Sequence, residues 1–324
     1  MNKIIALCLL ALIWSKDKPA GLTRDKKYVI VNYNITFAPD LSNRVNPALY
    51  KRPLSDVDLL KVLSGNLYPT ILRSKRTQNQ KDRLLVDFIN KGLITKYNVN
   101  TDKMLLDFSR FPNQLSRIQY IQNLPVAKPG LKQDINSLTS EFGRVYSRAI
   151  KDNVGADIWT YLDQGINDSH VLENDPPIHQ DGITCINQYR NILMLPTDGY
   201  IEAGIFGKGF DLSQKTINQF RKDFLASGEV DLVRYFKKAA AFHIRPARNE
   251  RLKKLEILVV EMYDRSLTAS GSATVHPTDM EIMRLFWTDW LQASGVKRFE
   301  FRPYANSKDE AEKIILKFLG VNKI

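Results

Sequence analysis

Two cysteines, Cys8 and Cys185, are all that 324 residues contain. Thiols so few and so far apart exclude a disulfide framework and a cysteine-built zinc site, which need paired thiols. Histidine is nearly as scarce, and His170, His179, His243 and His276 stand apart. The chain carries no HExxH, no GxSxG and no kinase signature set. Nothing in it argues for a cofactor or for catalysis, although a hydrolase whose site is assembled from distant residues would look the same. A long apolar run is missing too. Ile4–Trp14 covers eleven residues, short of the about 20 that span a bilayer as a helix. No internal repeat is visible.

Lys3 followed by that apolar run has the layout of a secretory signal peptide, with a poor cleavage region at Ile13-Trp14-Ser15. The competing reading is an apolar arm that packs on the body or mediates self-association. The chain is cytoplasmic if the segment is retained, and secreted or lumenal if it is cleaved. Two sequons, Asn34-Ile-Thr36 and Asn167-Asp-Ser169, matter only in the second case.

Along the chain, Lys27–Phe37 is rich in β-branched and aromatic residues and reads as a strand. Ser55 caps a helix carrying Leu59, Leu60 and Leu63. Leu84, Leu85, Phe88 and Ile89 read as one face of a further helix, followed by amphipathic segments at Leu115–Ile121 and Ile135–Ala149. Residues 161–200 turn acidic, with Asp168, Glu173, Asp175 and Asp181 near His170 and His179 around Pro176-Pro177. Without the fixed spacing of a metal site, this reads as an acidic linker. Gly204, Gly207 and Gly209 form GxxGxG, which is neither the dinucleotide fingerprint nor a P-loop.

In the last third, Asp211 with Gln214 looks like a capping pair, and Thr278 with Glu281 and Ser307 with Glu310 look like capping boxes. Leu255–Met262 and Arg298–Arg302 read as strands between helices. Glu256 and Glu261 lack the nearby lysine that a nuclease carboxylate pair would have, and read as strand-end carboxylates. The expected fold is α/β or α+β, with a mainly helical N-terminal half containing at least one strand and a C-terminal β-α-β-α unit. The expected divisions are an apolar segment 1–15, a basic domain 16–160, an acidic linker 161–200 and an α/β domain 201–324.

Charge supplies the functional reading. The net formal charge is +12, a balance that favours anionic partners. Residues 234–254 hold eight cations against Glu250 alone, with aromatic rings set among them. A non-enzymatic protein that binds nucleic acid, RNA above all, through its phosphates is therefore expected, such as a nucleoprotein or ribonucleoprotein component. The phosphate contacts would be Arg73, Lys75, Arg76, Lys81 and Arg83 in one region. In the other they would be Arg234, Lys237, Lys238, Arg245, Arg248, Arg251, Lys253 and Lys254. Tyr235 or Phe242 would stack on bases. The alternative class is a secreted or lumenal interaction or effector protein, resting on Met1–Ser15 and the sequons.

Overall fold

The computed structural model describes residues 26–74, 80–152, 155–180, 182–202, 211–268 and 270–322. The apolar N-terminal run, Lys75, Arg76, Asp181 and the glycine-rich turn 204–209 lie outside the described residues.

A seven-stranded sheet forms the centre. Its strands are β1 (Lys26–Phe37), β2 (Arg83–Val86), β3 (Leu105–Asp107), β4 (Ile178–Gln180), β5 (Ile183–Pro196), β6 (Leu255–Met262) and β7 (Arg298–Pro303). The order is β3-β2-β1-β5-β6-β7, with β4 paired to β5. β3 and β4 run antiparallel to their neighbours and every other pairing is parallel. The chain steps outward from β1 to β2, then returns past β1 to lay down β5, β6 and β7. The direction of crossover reverses between β1 and β5.

Both faces of the sheet are covered. Successive strand residues point to opposite faces, so Ile192, Met194, Leu258 and Val260 enter one core while Leu193, Leu195, Ile257 and Val259 enter the other. The first core is closed by α1 (Asp56–Gly65), α3 (Gln114–Ile121), α4 (Leu131–Lys151) and α9 (Lys308–Leu319). Phe142 of α4 meets Phe37 edge-on there, with ring centroids 5.7 Å apart. The second is closed by α6 (Gln214–Ala226), α7 (Leu232–Lys238) and α8 (Asp279–Ala293), with the short α5 (Ile158–Thr160) beside them. Trp287 and Trp290 of α8 are fully buried in it. The remaining helix, α2 (Gly92–Lys96), is a short turn after β2. No described helix is long and apolar enough to cross a membrane.

This architecture corrects the expected fold class. Helices are spread along the whole chain rather than concentrated in the N-terminal half, and β1, β2 and β3 come from that half. The expected β-α-β-α succession is present at the C-terminal end as β6-α8-β7-α9, and its two strands continue the same sheet as β1 and β5. Two misreadings explain the difference. Leu84 and Leu85 lie in β2, not on a helix, because a short apolar run buried in a parallel sheet shows no period that separates strand from helix. The stretch read as an acidic linker contains β5, which pairs with β1 over twelve residues and with β6 on its other side. Its polar start, Thr184 to Arg190, masked a central strand.

Candidate ligand pocket at the carboxyl edge of the sheet

Four parallel strands deliver a buried carboxylate to the same edge. Asp87 follows β2, Asp40 follows β1, Asp198 follows β5, and Glu261 is the penultimate residue of β6. None is more than 6% exposed. They differ in what surrounds them, and those surroundings set their charge.

Asp40 accepts hydrogen bonds from the Ser42 amide at 3.0 Å and the Thr197 hydroxyl at 3.1 Å. Its nearest cation is the Arg44 Nε, 3.9 Å away. Burial pushes the Asp40 carboxyl up to about 6, with Arg44 opposing and the charge of Asp198 adding to the rise. Arg44 sits on a short 3-10 turn, Asn43–Val45, and turns both ends of its guanidinium onto Asp56 at the start of α1. Arg52 continues the line, 3.5 Å from Asp56 and 3.2 Å from Glu261. Burial raises Glu261 to about 7 against the pull of Arg52. Glu261 has φ +68°, rare for a residue with a side chain. The sheet register shifts between Val259 and Met262 at that point. Irregularities of this kind re-aim a strand side chain.

Asp198 has a closer cation. Arg265 donates to it at 2.9 Å, donates to the Tyr50 hydroxyl, and lies 3.7 Å above the centre of the Tyr200 ring. Burial raises the Asp198 carboxyl, with Arg265 and Arg44 opposing. Gly199 makes the turn that presents these groups. Its φ is +91°, and a Cβ there would lie 2.9 Å from the Met262 methyl. The Gly199 carbonyl accepts from the Trp287 indole at 2.8 Å, which ties the turn to α8. Tyr200 in turn donates to Asp279 at 2.6 Å.

Asp87 behaves in the opposite way. Burial pushes its carboxyl up, but the His170 hydrogen bond and the Lys91 charge outweigh it and hold the group far below the usual carboxylate range. His170 Nε2 lies 2.8 Å from Asp87, and the Tyr161 hydroxyl donates to the same oxygen at 2.9 Å.

Asp40 and Asp198 border a cleft of about 680 Å³, which Arg44, Tyr50, Tyr200 and Arg265 also line, with Lys91 and Tyr161 on the far wall; Asp87 and Glu261 are not part of its lining. The cleft opens at the carboxyl ends of β1 and β5, where the crossover direction reverses. It offers buried charge of both signs, phenol hydroxyls and two carboxyls, Asp40 and Asp198, that burial raises above the usual carboxylate range. Among the described residues no grouping of three His, Cys, Asp or Glu side chains is placed to hold a metal ion.

The basic residues singled out from the sequence lie elsewhere, as far as they fall among the described residues. Arg73 rests on Tyr68. Arg83 pairs with Asp107. Lys81 pairs with Asp175, Arg251 with Asp168 and Lys254 with Glu173. Both basic regions thus meet the segment 168–175, a juxtaposition that sequence separation conceals. Arg245 lies over the Trp159 ring, the Arg248 amide donates to Asp163, and Lys253 pairs with Glu250. Arg234 and Lys238 lie near Glu229 at the α6–α7 turn, with Lys237 exposed on the same helix. Tyr235 packs edge-on against Phe220 and Phe224, and Phe242 against Phe220 and Phe286.

Sequence reasoning passed over Asp40, Asp87, Asp198 and Arg265. The one available signal was an acid directly behind each apolar strand, which only strand order turns into a site. No protein-family model matches this chain, and no curated protein matches it.

Proposed function

We propose that the protein binds a small polar ligand in the cleft at the carboxyl edge of its sheet. Asp40 and Asp198 form the charged floor, and Arg265 with Tyr50 and Tyr200 forms a wall. The observation that carries this reading is the position of the two carboxylates. They stand at the ends of adjacent parallel strands where the crossover reverses, the place where open α/β sheets bind their ligands. Concavity, aromatic surface and a few converging polar groups are the other marks of a binding site. A thermal-shift screen of small amines, carboxylates, phosphates and sugars tests it. Compounds that bind should lose their effect in Arg265→Ala or Tyr50→Phe and keep it in Lys254→Ala. A screen in which no compound depends on the cleft residues removes the reading.

A second reading is phosphate-directed RNA binding. The convergence of Lys81, Arg251 and Lys254 on one segment supports it, since two basic regions far apart in sequence share a surface. Filter binding at two salt concentrations tests it, because phosphate contacts release counterions and weaken steeply with salt.

A further inference from the structure

Asp40, Arg44, Asp56, Arg52 and Glu261 form one line of ion pairs, with successive separations of 3.9, 2.7, 3.5 and 3.2 Å. No side chain in the line is more than 5% exposed. It holds three acids and two arginines, so one carboxylate is left without a matching cation. A buried, unmatched carboxylate is costly, and such a site takes up either a proton or another cation. Of the five, Asp40 and Arg44 reach the cleft. The neighbouring pair, Asp198 with Arg265, is already balanced.

The cations on the cleft wall are committed. Arg44 holds Asp56, Lys91 holds Asp87, and Arg265 holds Asp198. Of the two floor carboxylates, Asp198 has Arg265 at 2.9 Å, while Asp40 has no cation within hydrogen-bonding distance among the described residues: Ser42 and Thr197 supply its hydrogen bonds. Tyr50 and Tyr200 add aromatic faces of the kind that receive organic cations.

We propose that the group received against Asp40 is an organic cation of the alkylammonium or guanidinium class, borne by a free small molecule or by a partner's lysine or arginine side chain. This rests on the cleft being the ligand site. The incoming cation supplies the charge that the line lacks, and the proton that otherwise occupies Asp40 or Glu261 leaves. Asp40 is faced by Arg44, by Ser42 and by Thr197 and Asp198 beyond β5. Glu261 is faced by Arg52, Asp56 and Arg44 and by the Ala305 amide beyond β7. With those carboxyls raised to about 6 and about 7, affinity should rise with pH through that window and level off above it.

Calorimetric titration of the full chain tests the proposal. Methylguanidinium and agmatine serve as free cations, a blocked Gly-Arg-Gly tripeptide as the partner side chain, and inorganic phosphate and acetate as the opposite charge. Cation binding is expected, with protons released to the buffer near pH 6.5 and affinity reduced at least tenfold in Asp40→Asn. Binding by all cations points to a free small molecule, and binding confined to the tripeptide points to a partner side chain. Glu250→Gln, exposed and remote, should bind as the parent does. Proton release needs no variant, so it decides the matter even if Asp40→Asn folds poorly. Phosphate or acetate binding that depends on Arg265, with no cation bound, overturns the cation and leaves the cleft reading standing. If no compound of either charge binds in a way that Asp40→Asn or Arg265→Ala changes, both fall.

Discussion

Arg44 and Asp56 meet through two parallel hydrogen bonds, at 3.2 and 2.7 Å, where their side chains are 1% and 0% exposed. The fork anchors the segment after β1 to the first turn of α1, and it fixes the Arg44 end that faces Asp40. Breaking a buried pair by removing one partner leaves a charge stranded, at a cost of about 3–5 kcal/mol. Arg44→Met and Asp56→Leu should therefore each lower stability by that order in urea titrations. The double variant, which strands no charge at this position, should recover much of the loss. Equal damage from the double variant would mean that packing, not charge, holds the segment.

Asp40 should make the fold less stable as it ionises. Its carboxyl is raised from 3.8 to about 6 in the folded state, so between those values the folded chain binds more protons than the unfolded one. Stability contributed by Asp40 is complete below about 4, declines as pH rises toward 6, and stays lost above. A displaced proton equilibrium costs about 1.4 kcal/mol for each pH unit, which makes the penalty on the order of 3 kcal/mol. Asp40→Asn should accordingly be more stable than the parent at pH 8, and the gap should close by pH 4. A variant less stable than the parent at pH 8 would show that the Asp40 charge is compensated in the fold.

Much of the local structure is legible in the sequence, and little of the site is. Ser55 with Asp58 and Thr278 with Glu281 are reciprocal capping boxes that mark the starts of α1 and α8. Where neighbours compete, the signal misleads. Ser213 rather than Asp211 caps α6, and Glu310 turns back to the Asn306 amide while Ser307 caps α9. β5 was hidden because its first half is polar at Asn187, Gln188 and Arg190, a pattern that resembles a loop until β1 and β6 are placed on either side. Asp40 and the Thr197 hydroxyl it accepts are 157 positions apart. No spacing rule links them, and a net-charge count directs attention to exposed lysines and arginines instead. Arg44, buried at the cleft, adds to that count while its charge is spent on Asp56 inside the fold.

Asp87 should be needed for structure on the far wall of the cleft. It takes hydrogen bonds from Tyr161 and His170 and an ion pair from Lys91, and those partners hold it ionised. Tyr161→Phe removes one hydrogen bond and should cost about 1 kcal/mol. Asp87→Asn removes the charge that orders all three partners and should cost about 3 kcal/mol or more. Because its carboxyl is held far below the ordinary value, the stability it contributes is present above about 4 and is lost as pH falls further. Urea midpoints of the parent and Asp87→Asn should converge in acid; a difference that stays constant from pH 7 to pH 3 would place the effect in packing.

The pairs Lys81–Asp175, Arg251–Asp168 and Lys254–Glu173 make opposite demands on stability and on polyanion binding. Their acidic members lie on one segment and are 29% to 87% exposed, so each pair contributes little, in the range of about 0–1 kcal/mol. Neutralising all three, as Asp168→Asn, Glu173→Gln and Asp175→Asn together, should leave the melting temperature within a few degrees of the parent. The same change exposes three cations from both basic regions on one surface. If phosphates bind there, affinity for single-stranded RNA should rise at least tenfold at low salt, and the slope of log affinity against log salt should steepen by about one to two phosphate contacts. Lys254→Ala in that background should reverse part of the gain. A triple variant that binds RNA no better than the parent, with an unchanged salt slope, would mean that the cations on this surface serve only their acidic neighbours.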